Sequence, residues 1–321
     1  MTDSNTHPHD TSGPTITLDP QEAPVENTSA LARIIYLIFI TFPLIGLAAA
    51  IVLVWPLGFS WVYLALLFVM YILTGLGITV GYHRLFTHKS FETSRPMTFI
   101  IGVLGSMAAE GPILEWVAMH RAHHQHSDTE HDPHSPHSHG SGIIGIIRGF
   151  FHAHIGWMWH AQKPDINRYA PDLAKDPVVR AVSKSFLLWV FLGLLIPAVV
   201  AALITWSWWG LLLGLIWGGL ARIFLVHHVT WSINSVCHIW GTRPFDSHDE
   251  SRNNVICGVL GFGEGWHNNH HAFPTSARHG LRWWEIDTSY LVIRAMGALG
   301  LARNIRVPAP ERIAAKRRIR P

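Results

Sequence analysis

Four apolar runs of membrane-crossing length decide what this chain can fold into. They occupy residues 34–54, 60–80, 186–205 and 208–226. A bilayer's hydrocarbon core is about 30 Å thick, and a helix needs roughly 20 apolar residues to cross it. Inside hydrocarbon every backbone N–H and C=O must be satisfied within the segment, so such runs fold as helices. Only 14% of the 321 residues are charged, against about 25% in ordinary soluble domains. The expected fold class is an all-α integral membrane protein with four transmembrane helices.

A turn around Pro56 and Gly58 separates the first two runs, and almost nothing separates the last two. Each pair reads as a helical hairpin with an uncharged connection. Lys, Arg and His residues fill the segments between and beyond the hairpins, which places those segments and both termini on the cytoplasmic side. Trp55, Trp61, Trp206, Trp208 and Trp209 lie near the turns and suit an outer aromatic belt. Residues 99–109 are too short to span. Residues 143–159 carry Arg148, His152 and His154 and are expected to lie in the interface as an amphipathic helix. Residues 281–301 read the same way, because charges such as Arg282, Glu285 and Asp287 are costly within a bilayer.

The chain divides into a polar tail (1–32), a membrane domain (33–302) and a basic tail (303–321). The first tail has acids but no Lys or Arg, unlike a signal peptide, and is expected to be disordered. The basic tail carries seven Lys and Arg residues against Glu311 alone. It suits a cytoplasmic flank resting on anionic lipid. It lacks interleaved aromatic residues, so nucleic acid is not an expected partner. Cys237 and Cys257 are the two cysteines and form no CxxC pair, which points away from a disulfide framework or sulfur ligation.

Chemistry is concentrated in the histidines. Nine of the 23 fall beside the apolar runs: His83 and His88, then His120, His123 and His124, then His238, then His267, His270 and His271. Neutral imidazole is a good ligand for iron, zinc, copper and nickel. Residues three and four apart share a helix face, so His120, His123 and His124 point together, as do His267, His270 and His271. Asn234 stands four residues before His238 and adds a tenth, weaker donor. Ten donors are too many for one ion and suit two. His83 and His88 diverge by roughly 140° on an ideal α-helix, so either the helix ends between them or they serve different ions. His83 follows the second run closely, and Asn234 and His238 continue the line of the fourth. Both helices are therefore expected to extend beyond the lipid into a helical cap that gathers the ligands.

The stretches His83-Arg-Leu-Phe-Thr-His88, His120-Arg-Ala-His-His124 and Trp266-His-Asn-Asn-His-His271 resemble the three histidine boxes of the membrane fatty-acid desaturases. The likeness is greatest to the Δ9 acyl-CoA and acyl-lipid branch and runs from about Gly81 to Pro274. Thr230-Trp-Ser-Ile-Asn-Ser235 with His238, and Asp132-Pro-His134, resemble further stretches of that branch. The resemblance implies two iron ions held by the nine histidines, with Asn234 acting through a bridging water. It implies insertion of a cis double bond into a saturated acyl chain with O2 and two electrons. The activated oxygen is needed because an unactivated methylene C–H bond resists acid, base and nucleophile.

Family members hold the acyl chain in a bent tunnel, and the resemblance places Trp116 and Thr230 at the bend. Glu110 stands where animal members typically have glutamine. Ala118 and Met119 replace an Arg-Asp pair that contacts CoA in animal enzymes, and the surrounding residues look bacterial, which implies the bacterial inner membrane. The acyl carrier is left open among CoA, a glycerolipid and acyl carrier protein. Electrons are expected from a separate donor, such as ferredoxin or cytochrome b5 with its reductase. Asp128, Asp132, His134 and Glu264 are expected to orient ligand imidazoles from behind, as outer-shell groups commonly do. His227 and His228 lie nearby but outside the matched pattern. A related hydroxylase or ketolase would not account for residues 230–238. A metal transporter would place its ligands inside the spans, where these do not lie.

Overall fold

The computed structural model describes residues 30–160 and 165–318, so the polar tail expected at 1–32 lies outside them except for its last three positions. The principal helices in chain order are α1 (Ala30–Leu57), α2 (Trp61–Thr87), α3 (Arg95–Ser106), α4 (Ile113–His126), α5 (Gly142–Phe151), α6 (Phe186–Thr205), α7 (Trp208–Ile239), α8 (Val255–Leu260), α9 (His267–Ala272) and α10 (Thr288–Ala298). Helices α1, α2, α6 and α7 are each long and apolar enough to cross a membrane. Two of them outrun the apolar segments read from sequence, since α2 carries His83 and α7 carries His238.

The two short connections are built alike. Ser60 Oγ accepts from Val62 N–H to start α2, and Ser207 Oγ accepts from Trp209 N–H to start α7. Such caps satisfy donors that the first turn leaves orphaned. Gly58 (φ +77°) and Trp206 (φ +49°) supply the left-handed residue that reverses the chain. Helices α1, α2 and α6 all pack against α7, which lies at the centre of the group. Arg222, fully buried within α7, donates to Gly218 O at 3.1 Å, Met107 O at 2.7 Å and Gly193 O at 2.9 Å. It thereby ties α7 to α6 and to the turn after α3.

Large apolar side chains of α1 and α6, including Ile38, Ile45, Ile51, Leu188 and Phe191, face outward, as lipid contact requires. Helix α5 exposes Ile143, Ile144, Ile147 and Phe151 and buries Gly145 and Gly149, the one-sided face expected of an interfacial helix. Helices α2 and α3 cross in backbone contact, for a Cβ on Gly77 would lie 2.2 Å from Gly105 N. The basic tail is tied to the body. Ala302–Arg303 pairs antiparallel with Glu92–Thr93, and Lys316 Nζ donates to Ala272 O at 2.8 Å.

Candidate metal centre

The last stretch of α2, Gly77–Thr87, is wound as a π-helix, and His88 N–H bonds His83 O at 3.1 Å. A π turn closes at the fifth residue rather than the fourth, so His88 comes back over His83. Their rings lie 4.8 Å apart. The divergence expected on an ideal α-helix is absent because the helix is wider there.

The nine histidines divide into two adjoining groups. His83, His88, His120, His124 and His270 form one, and His123, His238, His267 and His271 form the other. The groups meet where the His124 and His271 rings stack at 4.4 Å. Within them, His83 Nε2–His270 Nε2 and His270 Nε2–His124 Nε2 are both 3.0 Å, His124 Nε2–His120 Nε2 is 3.1 Å, and His238 Nε2–His267 Nε2 is 3.0 Å. Two nitrogens bound to one ion at about 2.1 Å and at right angles stand about 3 Å apart.

Carboxylates stand behind four rings and hydrogen-bond three of them. His123 Nδ1 lies 3.0 Å from Asp132 Oδ1, His238 Nδ1 lies 2.9 Å from Asp128 Oδ2, His83 Nδ1 lies 2.5 Å from Glu264 Oε2, and His271 Nδ1 bonds Asp249. Donating Nδ1–H to a carboxylate leaves the lone pair on Nε2. His123 Nε2 and His271 Nε2 are accordingly buried without a partner, as is His88 Nε2. Lone pairs that converge on dry, unpartnered space fit a cation, and an all-nitrogen set of five and four suits two transition-metal ions.

Burial, then the neighbouring imidazoles, hold His88, His120, His124, His267 and His270 well below the ordinary histidine range. Burial pushes His271 down to about 4. These rings are therefore neutral at pH 7, the form that binds metal. Burial acts to raise Asp128, Asp132, Asp249 and Glu264, but the facing imidazoles outweigh it and keep all four ionised.

Other predicted residues fall around this core. His134 does not bond a ring nitrogen; its ring packs 4.4 Å from that of His123, with Nδ1 3.7 Å from Asp132. Asn234 lines the adjoining cavity of about 380 Å³, together with His83, His120 and His267. Trp116 stacks on His120 at 5.0 Å and donates Nε1–H to Glu110 Oε2 at 3.2 Å, and Thr230 lines the same cavity. Burial raises the Glu110 carboxyl to about 7 against the lowering effect of Thr230 and Trp116. His227 Nε2 bonds the carbonyls of Ala108 and Ala109, and His228 pairs with His154 at 2.9 Å, so both are occupied away from the two groups.

Sequence reasoning missed several supports. Asp249 lies 22 residues from His271, too far for any spacing signal. Arg84, fully buried, donates to Glu264 Oε1 at 3.2 Å and Asp287 Oδ1 at 2.9 Å, bracing the carboxylate behind His83. Asn269 sits inside the third box, accepts from Asn253 Nδ2 at 2.7 Å and donates to Glu285 Oε2 at 2.8 Å. This latches the six-residue α9 in place.

Membrane-length helices capped by two adjoining, all-histidine, carboxylate-backed groups beside an apolar cavity define the class: a helical membrane protein built around a candidate dinuclear metal centre. A profile of the family "Fatty acid desaturase" matches residues 59–304. The chain belongs to the fatty acid desaturase family and is an oxidoreductase of that kind. It is 44% identical over 284 residues to a hex-5-enoyl-[acyl-carrier protein] acetylenase of Moorena producens, covering 88% of each chain. It is 40% identical to an sn-1 stearoyl-lipid 9-desaturase of Anabaena variabilis, covering 78% of this chain and 87% of the relative. An acyl-CoA C20 Delta5-desaturase of Anemone leveillei is 37% identical, covering 79% of this chain and 77% of the relative.

Proposed function

We propose that this desaturase introduces a cis double bond at the Δ9 position of a saturated acyl chain, and that its two histidine groups each hold one iron ion. The nine imidazoles would be the ligands, with Asn234 acting through a bridging water. When bound, iron supplies the activation of O2 that an inert methylene C–H bond demands. One O2, two electrons and two protons join the two hydrogens removed from adjacent carbons, leaving an alkene and two waters. Electrons come from a separate one-electron carrier. The observation that carries this reading is the five-and-four division of nine converging imidazoles at the wall of an apolar cavity.

The protein's own part is placement. Asp132, Asp128 and Asp249 hold His123, His238 and His271 in one tautomer, and Glu264 stands against His83. Trp116 stacks on His120 and, with Glu110 and Thr230, lines the cavity beside the first group, and the acyl chain bends there. The histidine side faces the cytoplasm of a bacterial inner membrane, because the flanking segments carry the cations.

Expression in a host lacking its own desaturase, with fatty acids analysed by gas chromatography–mass spectrometry, tests the reading. New monounsaturated acids with the bond at carbon 9 are expected. An unchanged profile, with a competent electron donor present, contradicts it. His124→Ala is expected to abolish the product and lower the metal content while the protein still inserts in the membrane.

A further inference from the structure

The outer end of the cavity is walled by two membrane-length helices. Ile35, Tyr36, Phe39 and Ile40 of α1 and Phe186 and Leu187 of α6 line it there. The Phe39 and Phe186 rings, 6.4 Å apart, join the two helices at that point. Ile35 and Leu187 are 41% and 69% exposed, on helices whose outward faces are apolar throughout. All six residues stand at the histidine-side ends of α1 and α6. The mouth therefore opens at the depth where acyl chains meet headgroups, and sideways.

Its charge is equally informative. Among the described lining residues there is no Lys or Arg, whereas Glu110 and Glu115 are both present. Arg33 and Lys184 are exposed nearby in sequence but lie outside the lining. A CoA thioester brings a pyrophosphate and a further phosphate, and a mouth that selects it needs cations against those oxygens. A membrane glycerolipid needs none. Its ester rests at the interface and its chain already lies in hydrocarbon beside α1 and α6.

We infer that the acyl chain slides into the cavity laterally from the bilayer, between α1 and α6, while still esterified to a membrane glycerolipid. The inference rests on the desaturase reading and extends it to the acyl carrier, on which the relatives differ.

The iron-loaded protein in liposomes, with a one-electron donor and its reductase, is given three substrates in parallel: distearoyl phosphatidylglycerol in the bilayer, stearoyl-CoA, and stearoyl acyl carrier protein. The bilayer lipid is expected to gain the double bond at least tenfold faster than either thioester. Faster turnover of a thioester overturns the lateral route and leaves the desaturase reading standing. No product from any of the three overturns that reading, and the inference falls with it. A second measurement needs no turnover. Metal-free protein is photolabelled with a phosphatidylglycerol bearing a diazirine in its acyl chain, and the label reaching the cavity residue Met119 is quantified. Leu187→Trp is expected to cut that label severalfold, while Ile51→Trp, on the lipid-facing side of α1 away from the mouth, leaves it unchanged. Equal labelling of Met119 in both variants counts against the route.

Discussion

Asp249 holds His271 from behind and is itself held by Ser251, whose N–H lies 3.1 Å from Asp249 Oδ1. Removing its charge while keeping its shape isolates what it contributes. Asp249→Asn is expected to weaken metal binding in the second group by about 10- to 100-fold, so that chelator dialysis followed by metal analysis yields nearer one ion per chain than two. Full retention of both ions would show that the carboxylate does not support the site. Glu110 offers a test of opposite sign. Its folded-state value of about 7 lies above the ordinary 4.5, so the stability linked to its proton is complete below 4.5 and lost as pH rises through 7. Glu110→Gln removes that loss. Its melting temperature is expected to gain on the parent's as pH rises from 5 to 8, and parallel melting curves would refute the assignment. The two later boxes were legible because their spacing is short and helical. Asp249, Asn253 and Asp287 were not, since each reaches its partner only after the chain has folded back.

At the scale of elements, the apolar runs announced all four long helices, and the histidines at their ends announced that α2 and α7 run on. The widening of α2 was not announced. A five-residue interval between His83 and His88 fits a helix end as well as a π turn, and periodicity alone does not choose between them. Packing chooses: Gly77 at the start of the π segment lies against Gly105, and Tyr82 within it bonds Ser106 at 2.9 Å. Gly77→Ala therefore drives a methyl group into α3 backbone. A loss of about 1–3 kcal/mol is expected, read as a lowered melting temperature in detergent, together with weaker metal retention by the first group. An unchanged melting temperature would show that the crossing is not tight. The exposed apolar face of α5 was legible in 143–159 from its alternation. The docking of residues 302–318 against the body was not, because two-residue pairings leave no pattern in sequence.

The molecule as a whole gathers many imidazoles into one dry place, and this makes it sensitive to acid. An unfolded chain titrates its histidines near 6.5, whereas His88, His120, His124, His267, His270 and His271 resist protonation when folded. With folded values depressed, stability is complete above 6.5 and lost as pH falls, at up to about 1.4 kcal/mol per pH unit for each ring. The metal-free protein is expected to melt at steadily lower temperature from pH 7.5 to 5.5, and metal release should follow the same course. A flat profile would mean that the rings are not buried as a group.

Arg222 has a consequence for how such a chain is made. It lies within a helix of membrane-crossing length, yet among the described residues its guanidinium meets three backbone carbonyls and no carboxylate. Before α7 has neighbours, a charge at that depth costs a few kcal/mol to insert, about 2.5–3.5 on translocon scales. Gly218 and Gly193 are supplied by α7 and α6 themselves, but Met107 belongs to the first half of the chain. The shelter of Arg222 is thus shared across the sequence: the second half alone supplies two of its three carbonyls, and the third arrives only with the first half of the chain.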